Sequence, residues 1–429
     1  MRFRPNIKRD KIFINVRAHA ISIILNTFTV LTFDTEGRLI WAYLDGCSFR
    51  RSFDNKVIER YRENKDGQRY KIRKELEEEE KKVCLNSVYD GIALIYGAIK
   101  RGEGNISFPS NVPSNYIEEV EKALNKVAVL DYEKMEMEKR RFLSIYKPIS
   151  ILPPDQYLAL VLQVTEGCWW NKCTFCDLYR DRKFAIKSDE EVLRHIKEIR
   201  GFLGEGIWLR RSIFLADANA LTIPEERLLE ILDIVNQEFP IAPKDLKGTE
   251  LSSWKLKHAL YFGGIYSFLD AFIGKIRSNQ YYRELKERNL KRIYLGLESG
   301  SNRLLNFLQK PNRAEEALEV VRTIKESGIN VGVIVMIGIG GEEYFEEHVK
   351  ETVKAINFMK LEKGDFLYIS EFIEHPGLEY SIEASELGIK ALPQDRVAEQ
   401  INLVRQGIKF ADPENLPKIA IYDLGEFIY

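Results

Sequence analysis

The chain has 429 residues, with 64 Lys and Arg against 65 Asp and Glu and a formal net charge of −1. A chain of that length can bury a large core in two or three units, and near-neutral charge gives no global bias toward nucleic acid or an anionic membrane. Five cysteines, three of them inside nine residues, argue against a disulfide scaffold and for a reducing compartment.

The start, Met1-Arg-Phe-Arg-Pro5, has no apolar core of a signal peptide. The run Ile21 to Phe33 is short and broken by Asn26, too little to span a bilayer. The expectation is an intracellular, cytoplasmic protein with no membrane partner. Residues 1–150 read as an α+β domain. Ile21–Phe33 and Leu39–Leu44 are β-rich, and Asp34-Thr-Glu-Gly37 between them is a hairpin turn. Asn55–Lys82 is dense in charge and is expected as a solvated helix. Tyr89–Ile99 and Ser114–Asn125 are expected as further helices, and Pro148, Pro153 and Pro154 mark a boundary.

From Tyr157 onward, short apolar runs alternate with amphipathic segments, the pattern of parallel βα units. Six strand-like runs stand out: 157–165, 212–216, 265–270, 292–298, 331–338 and 365–371. Ser188-Asp-Glu-Glu191 is a capping box that opens the first helix. Residues 381–429, with an amphipathic stretch and an apolar ending, read as a C-terminal extension.

Immediately after the first of those strands comes Thr165-Glu-Gly-Cys168-Trp-Trp-Asn-Lys-Cys173-Thr-Phe175-Cys176. Three thiolates on a loop at a strand end can hold an iron–sulfur cluster or a soft metal. A structural zinc site would want a fourth Cys or His. Cys47 and Cys84 lie far upstream, and His195 falls on the rim of a helix. The Cys-x4-Cys-x2-Cys spacing with Phe175 before the last cysteine resembles the cluster loop of radical S-adenosylmethionine (radical SAM) enzymes. The spacing most frequent in that superfamily has a first gap one residue shorter.

The resemblance implies a partial (β/α)6 TIM-like barrel over residues 151–380. It also implies a 4Fe–4S cluster on Cys168, Cys173 and Cys176, with one iron left open to S-adenosylmethionine. Asp217 and Asn219 follow the second strand, where the family carries a residue that receives the methionine amino group; turn formation is the competing role for both. Glu298 and Ser299, in Gly-Leu-Glu-Ser-Gly at the end of the fourth strand, match a family segment that contacts ribose or the methionine carboxylate. Gly338, Gly340 and Gly341 match the turn after the fifth strand that passes close to adenine. Glu371, Glu374, His375 and Pro376, with Tyr179 and Arg180, are weaker candidates for facing substrate.

The implied function is reductive cleavage of S-adenosylmethionine and hydrogen abstraction from a substrate, fed by an electron donor such as flavodoxin or ferredoxin. The alternatives are the same chemistry on RNA, or a non-catalytic iron–sulfur or zinc protein. Residues 1–75 carry 17 Lys and Arg against 9 Asp and Glu, but the acidic run Glu77–Glu80 follows at once. A small-molecule or other non-nucleic-acid substrate is therefore favoured, with the N-terminal domain helping to form its pocket.

Overall fold

The computed structural model describes residues 3–65, 68–243, 246–258, 260–270, 277–375, 377–410 and 412–429. They divide into two units, the first of residues 1–148, 196–210 and 428–429 and the second of residues 149–195 and 211–427.

The first unit begins with β1 (Lys11–Arg17), β2 (Ala20–Leu25), β3 (Thr29–Phe33), β4 (Leu39–Leu44), β5 (Cys47–Arg51), β6 (Val57–Lys65) and β7 (Gln68–Glu75). Then follow α1 (Glu78–Lys100), β8 (Asn105–Ser107), α2 (Tyr116–Ala128) and α3 (Tyr132–Ile145). The eight strands form one sheet in the order β7-β6-β5-β4-β3-β2-β1-β8. The alternation that makes this sheet is plain in β1 and β2, where Ile12, Ile14, Ile21, Ile23 and Leu25 are buried and their neighbours are not. That face packs on Leu85, Val88 and Ile92 of α1 and Val120, Leu124 and Val127 of α2. The expected hairpin at Asp34–Gly37 joins β3 to β4, with Gly37 at φ +88°. Ile21–Phe33 is two strands rather than one, turned at Asn26 and Thr27, both at positive φ.

Asn55–Lys82 is not a helix. It is the hairpin β6–β7 followed by the first residues of α1. Nine residues of β6 alternate across the pleat, and charge pairs such as Glu59 opposite Lys74 suit a sheet. The charge density that suggests a solvated helix fits a solvated hairpin equally well.

In the second unit the six expected strands are present as β9 (Ala159–Gln163), β12 (Ser212–Ala216), β13 (Ile265–Phe268), β14 (Leu290–Glu298), β15 (Asn330–Ile337) and β16 (Phe366–Glu371). The short pair β10 (Thr165–Glu166) and β11 (Ala185–Ile186) lies between the first two. The sheet is parallel and runs β9-β12-β13-β14-β15-β16-β17. Every residue of β9 and β12 is buried, which explains why these strands read as continuous apolar runs. Helices intervene: α4 (Asp189–Leu203), of which only residues 189–195 belong to this unit, then α5 (Glu225–Glu238), α6 (Gly248–Lys257), α7 (Asn279–Glu287), α8 (Asn302–Phe307), α9 (Ala314–Glu326) and α10 (Gly341–Met359). The Ser188 capping box forms, with Glu191 accepting from the Ser188 N–H at 2.8 Å.

Residues 381–427 group with this second unit. They supply most of α11 (Glu379–Glu386), then α12 (Gln394–Gly407) and the seventh strand β17 (Lys418–Ile421), parallel to β16. The sheet thus has one strand more than the six that periodicity marks out, because β17 is only four residues long and half exposed. At the N-terminal end of the strands, Asp155 accepts from Tyr294 at 2.8 Å, Tyr368 at 2.6 Å and Arg292 at 2.7 Å. Among the described residues no helix is long and apolar enough to cross a membrane.

Candidate functional site

The other end of the parallel sheet collects the candidate residues. Gln163 stands beside Ala216, and Glu298 beside Val335, so the C-terminal ends of the strands lie in register. The cysteine loop leaves β9 here and is tied at its base by β10 pairing with β11. Cys168, Cys173 and Cys176 are free thiols, each half-buried. Two contacts hold the loop to the segment after α8: Thr174 N–H donates to the Leu308 carbonyl at 3.2 Å, and Trp170 Nε1 to the Gln309 carbonyl at 2.8 Å. Phe175 packs on the cluster around Leu304, Leu308 and Tyr380. Arg180 donates to the carbonyls of Cys173 and Cys176, and Tyr179 is buried, so both shape the loop.

Asp217 faces the same loop. Its carboxylate accepts from Gly167 N–H at 3.1 Å, from Gln163 Nε2 at 3.1 Å and from Arg182 at 3.2 Å, while its own N–H donates to Thr165 Oγ1. Burial pushes its carboxyl pKa up, against the pull of those donors. One carboxylate therefore fastens both ends of the cysteine loop. Asn219 reaches toward Cys168, its Nδ2 3.8 Å from the sulfur.

Glu298 is buried at φ +57°, and Lys310 donates to it at 3.4 Å. Asp270, also buried, lies 4.0 Å from the same ammonium. Burial raises the Glu298 pKa and Asp270 adds repulsion, with Lys310 opposing. For Lys310, burial pulls the pKa down, but Asp270, Glu298 and the Cys173 thiol outweigh it and hold the ammonium charged. Lys310 and Asp270 are absent from the sequence reading. The available signal was that Asp270, like Asp217 and Glu298, stands where a parallel strand runs out. Lys310 gave none, because its partners are 12 and 40 positions away.

The neighbouring candidates are engaged by the chain itself. Ser299 is buried and lies 2.7 Å from His348 Nδ1. Gly338 N–H donates to Gln400, and Gly340 N–H to the Tyr380 hydroxyl at 2.9 Å. A Cβ on Gly341 would come within 2.2 Å of the Lys390 carbonyl, so close backbone approach demands glycine there. Glu371 accepts from Gln394, Glu374 and His375 are exposed, and Pro376 lies outside the described residues. His195 is buried and accepts from Gln163 N–H, so it serves as a packed histidine.

The donor set fits a cluster. Three thiols on one loop are soft donors of the kind a cluster takes, though among the described residues no three His, Cys, Asp or Glu side chains close around a single ion. Burial lifts Cys173 to about 12 and Cys176 to about 11, so the thiolates need metal to exist. Asn171 N–H, 3.4 Å from Cys168 Sγ, is aimed at that sulfur. Cys47 and Cys84 belong to the first unit.

Residues 162–356 match the family model described as the Radical SAM superfamily. The chain is 25% identical over 302 residues to an uncharacterized methyltransferase of Pyrococcus horikoshii, covering 66% of this chain and 58% of that one. It is 23% identical over 183 residues to 4'-phospho-dehydrooxetanocin synthase of Priestia megaterium, covering 41% of this chain and 23% of that one. The chain thus spans less than two thirds of the length of these curated relatives. SuiB of Streptococcus suis, solved with S-adenosylmethionine bound, shares 16% identity over 88% of this chain and 72% of its own, with a TM-score of 0.38. A likeness that loose carries no argument.

Proposed function

We propose, from the match of residues 162–356 to the Radical SAM superfamily, that the chain is an enzyme that cleaves S-adenosylmethionine reductively at a 4Fe–4S cluster. The observation that carries the reading is three half-buried free thiols on one loop, fastened at the C-terminal end of a parallel sheet beside a buried Lys–carboxylate trio. Superfamily members use this cluster with S-adenosylmethionine. Cys168, Cys173 and Cys176 would hold the cluster, which with S-adenosylmethionine supplies a 5′-deoxyadenosyl radical for hydrogen abstraction.

The protein's part is to bind, orient and shield. The seven-stranded sheet is proposed as a partial barrel whose far end is closed by Asp155 and its tyrosines. Glu298 and Asn219 are proposed to contact S-adenosylmethionine, with Asp217 setting the loop that they face. The turn of glycines 338, 340 and 341 is proposed to face adenine, with Gly341 required by its own close approach to the Lys390 carbonyl. The electron donor is proposed to be flavodoxin- or ferredoxin-like, in a reducing compartment such as the cytoplasm. The two curated relatives are described as a methyltransferase and a synthase, so the proposal stops at the radical step they would share.

The test is anaerobic reconstitution with iron and sulfide, then dithionite and S-adenosylmethionine. Expected are four irons per chain and formation of 5′-deoxyadenosine and methionine. Each single Cys→Ala change at 168, 173 or 176 abolishes both, whereas Cys47→Ala with Cys84→Ala leaves them intact. Stoichiometric zinc without iron would overturn the reading.

A further inference from the structure

The near-zero net charge hides an asymmetry that strand register exposes. Residues directly opposite in an antiparallel pair project from the same face. In the first unit Tyr43, Ser48, Arg60 and Arg73 are successive partners across β4, β5, β6 and β7. The next two rows of the hairpin pair Arg62 with Lys71 and Asn64 with Arg69, and one row on the other side runs Trp41, Arg50, Ile58 and Glu75, the one carboxylate in these four rows. All lie on the face away from the α1 and α2 core. Glu59 and Glu63 of β6 project to the opposite face, opposite Lys74 and Tyr70. The acidic run Glu77–Glu80 belongs to the start of α1 and does not intersperse with these rows.

Two further observations separate this face from ordinary surface charge. Arg62, Arg69, Lys71 and Arg73 are exposed, and among the described residues no carboxylate pairs with them. Moreover, Arg60 faces Arg73 and Arg62 faces Lys71, and like charges directly opposite destabilise a sheet. An edge strand needs charge to repel other chains, but that need is met by either sign on either face. It does not leave the cations that lack a carboxylate on one side while Lys74, on the other, is paired with Glu80. At the head of the rows, Tyr43 is 37% exposed and its ring stacks on Trp41 at a 6.4 Å centroid distance.

We infer that this face of the N-terminal sheet binds single-stranded nucleic acid. Repeating cation rows, roughly 7 Å apart along each strand, neutralise the phosphates, and the Trp41–Tyr43 pair offers rings to unpaired bases. The rings favour this occupant over an anionic lipid surface, which would use the cations alone. The inference is independent of the cluster.

The test uses the full chain with the cluster removed, fluorescein-labelled 12-nucleotide single-stranded RNA and DNA, a matching duplex, and phosphatidylserine vesicles. Expected is salt-dependent binding of a single strand, with a log–log slope of roughly −3 for four phosphate contacts. The quadruple variant Arg62→Gln, Arg69→Gln, Lys71→Gln, Arg73→Gln should weaken binding at least tenfold and flatten that slope, with an unchanged melting temperature. Tyr43→Ala should weaken single-strand binding roughly tenfold, as loss of one stacked base does, and leave the slope intact. Absence of single-strand binding at 50 mM salt overturns the inference. So does equal binding of duplex or vesicles with no effect of Tyr43→Ala, which would mark a purely electrostatic or membrane-facing surface.

Discussion

The two ends of the parallel sheet each carry a carboxylate among aromatic and charged partners, and they are built differently. At the N-terminal end Asp155 takes hydrogen bonds from Arg292, Tyr294 and Tyr368. Its acceptor capacity is used up, and the network ties β14 and β16 to the chain just before β9. At the C-terminal end, Glu298 and Asp270 share one ammonium, that of Lys310, at 3.4 and 4.0 Å. Two carboxylates converge there on one buried cation, and such a concentration of buried charge where parallel strands end marks a candidate ligand site.

The sharpest way to break this contrast is Lys310→Met. It removes the cation between two buried carboxylates, and the expected loss is roughly 3–5 kcal/mol in a denaturant titration of the cluster-free protein. A loss below about 1 kcal/mol would mean that the ammonium of Lys310 does not hold this end of the sheet together. Asp155→Ala should cost about 1–3 kcal/mol, because it leaves buried hydroxyls without an acceptor. It should leave 5′-deoxyadenosine formation unchanged per cluster, and a drop in that rate would show that the two ends are coupled.

Acid sharpens the picture from another side. Burial depresses His195 to about 3 and His348 to about 4, below their unfolded value of about 6.5. Their contribution to stability is complete above that value and is lost as pH falls toward 4. Each should cost up to about 1.4 kcal/mol per pH unit in that window. Melting curves of wild type and His195→Gln between pH 7 and 5 should converge as pH falls.

The smallest expected change is the most telling. Glu298→Gln should leave stability at pH 7 within about 0.5 kcal/mol of wild type or raise it, while weakening S-adenosylmethionine binding at least tenfold. The Glu298 pKa is raised in the fold, so the wild type gains relative to the variant as pH falls through that pKa. Differential scanning at pH 7 and pH 4.5 checks the sign.

Much of this was legible in the residues. The parallel strands are short buried runs such as Ala159–Gln163 and Ser212–Ala216, and nothing but a strand explains them. The cysteine loop and Glu298 stand, as expected, where parallel strands run out. Asn55–Lys82 departs from expectation because a hairpin polar on both faces has no apolar alternation to distinguish it from a solvated helix. The basic face is hidden for the same reason, since on a helix Glu77–Glu80 would offset the arginines. The contacts of Asp217 were out of reach for a different reason. A carboxylate after a strand has the same sequence signature whatever it meets, so its bonds to Gly167 and Arg182 could not be read from the residues.

That clamp has a consequence for the loop's entropy. Gly167 and Arg182 bracket the three cysteines, and Asp217 joins them. Asp217 therefore bears part of the loop-closure cost that the three thiols would otherwise bear alone. On the proposed ligand set, a residue that touches no iron still helps to decide how firmly iron is held.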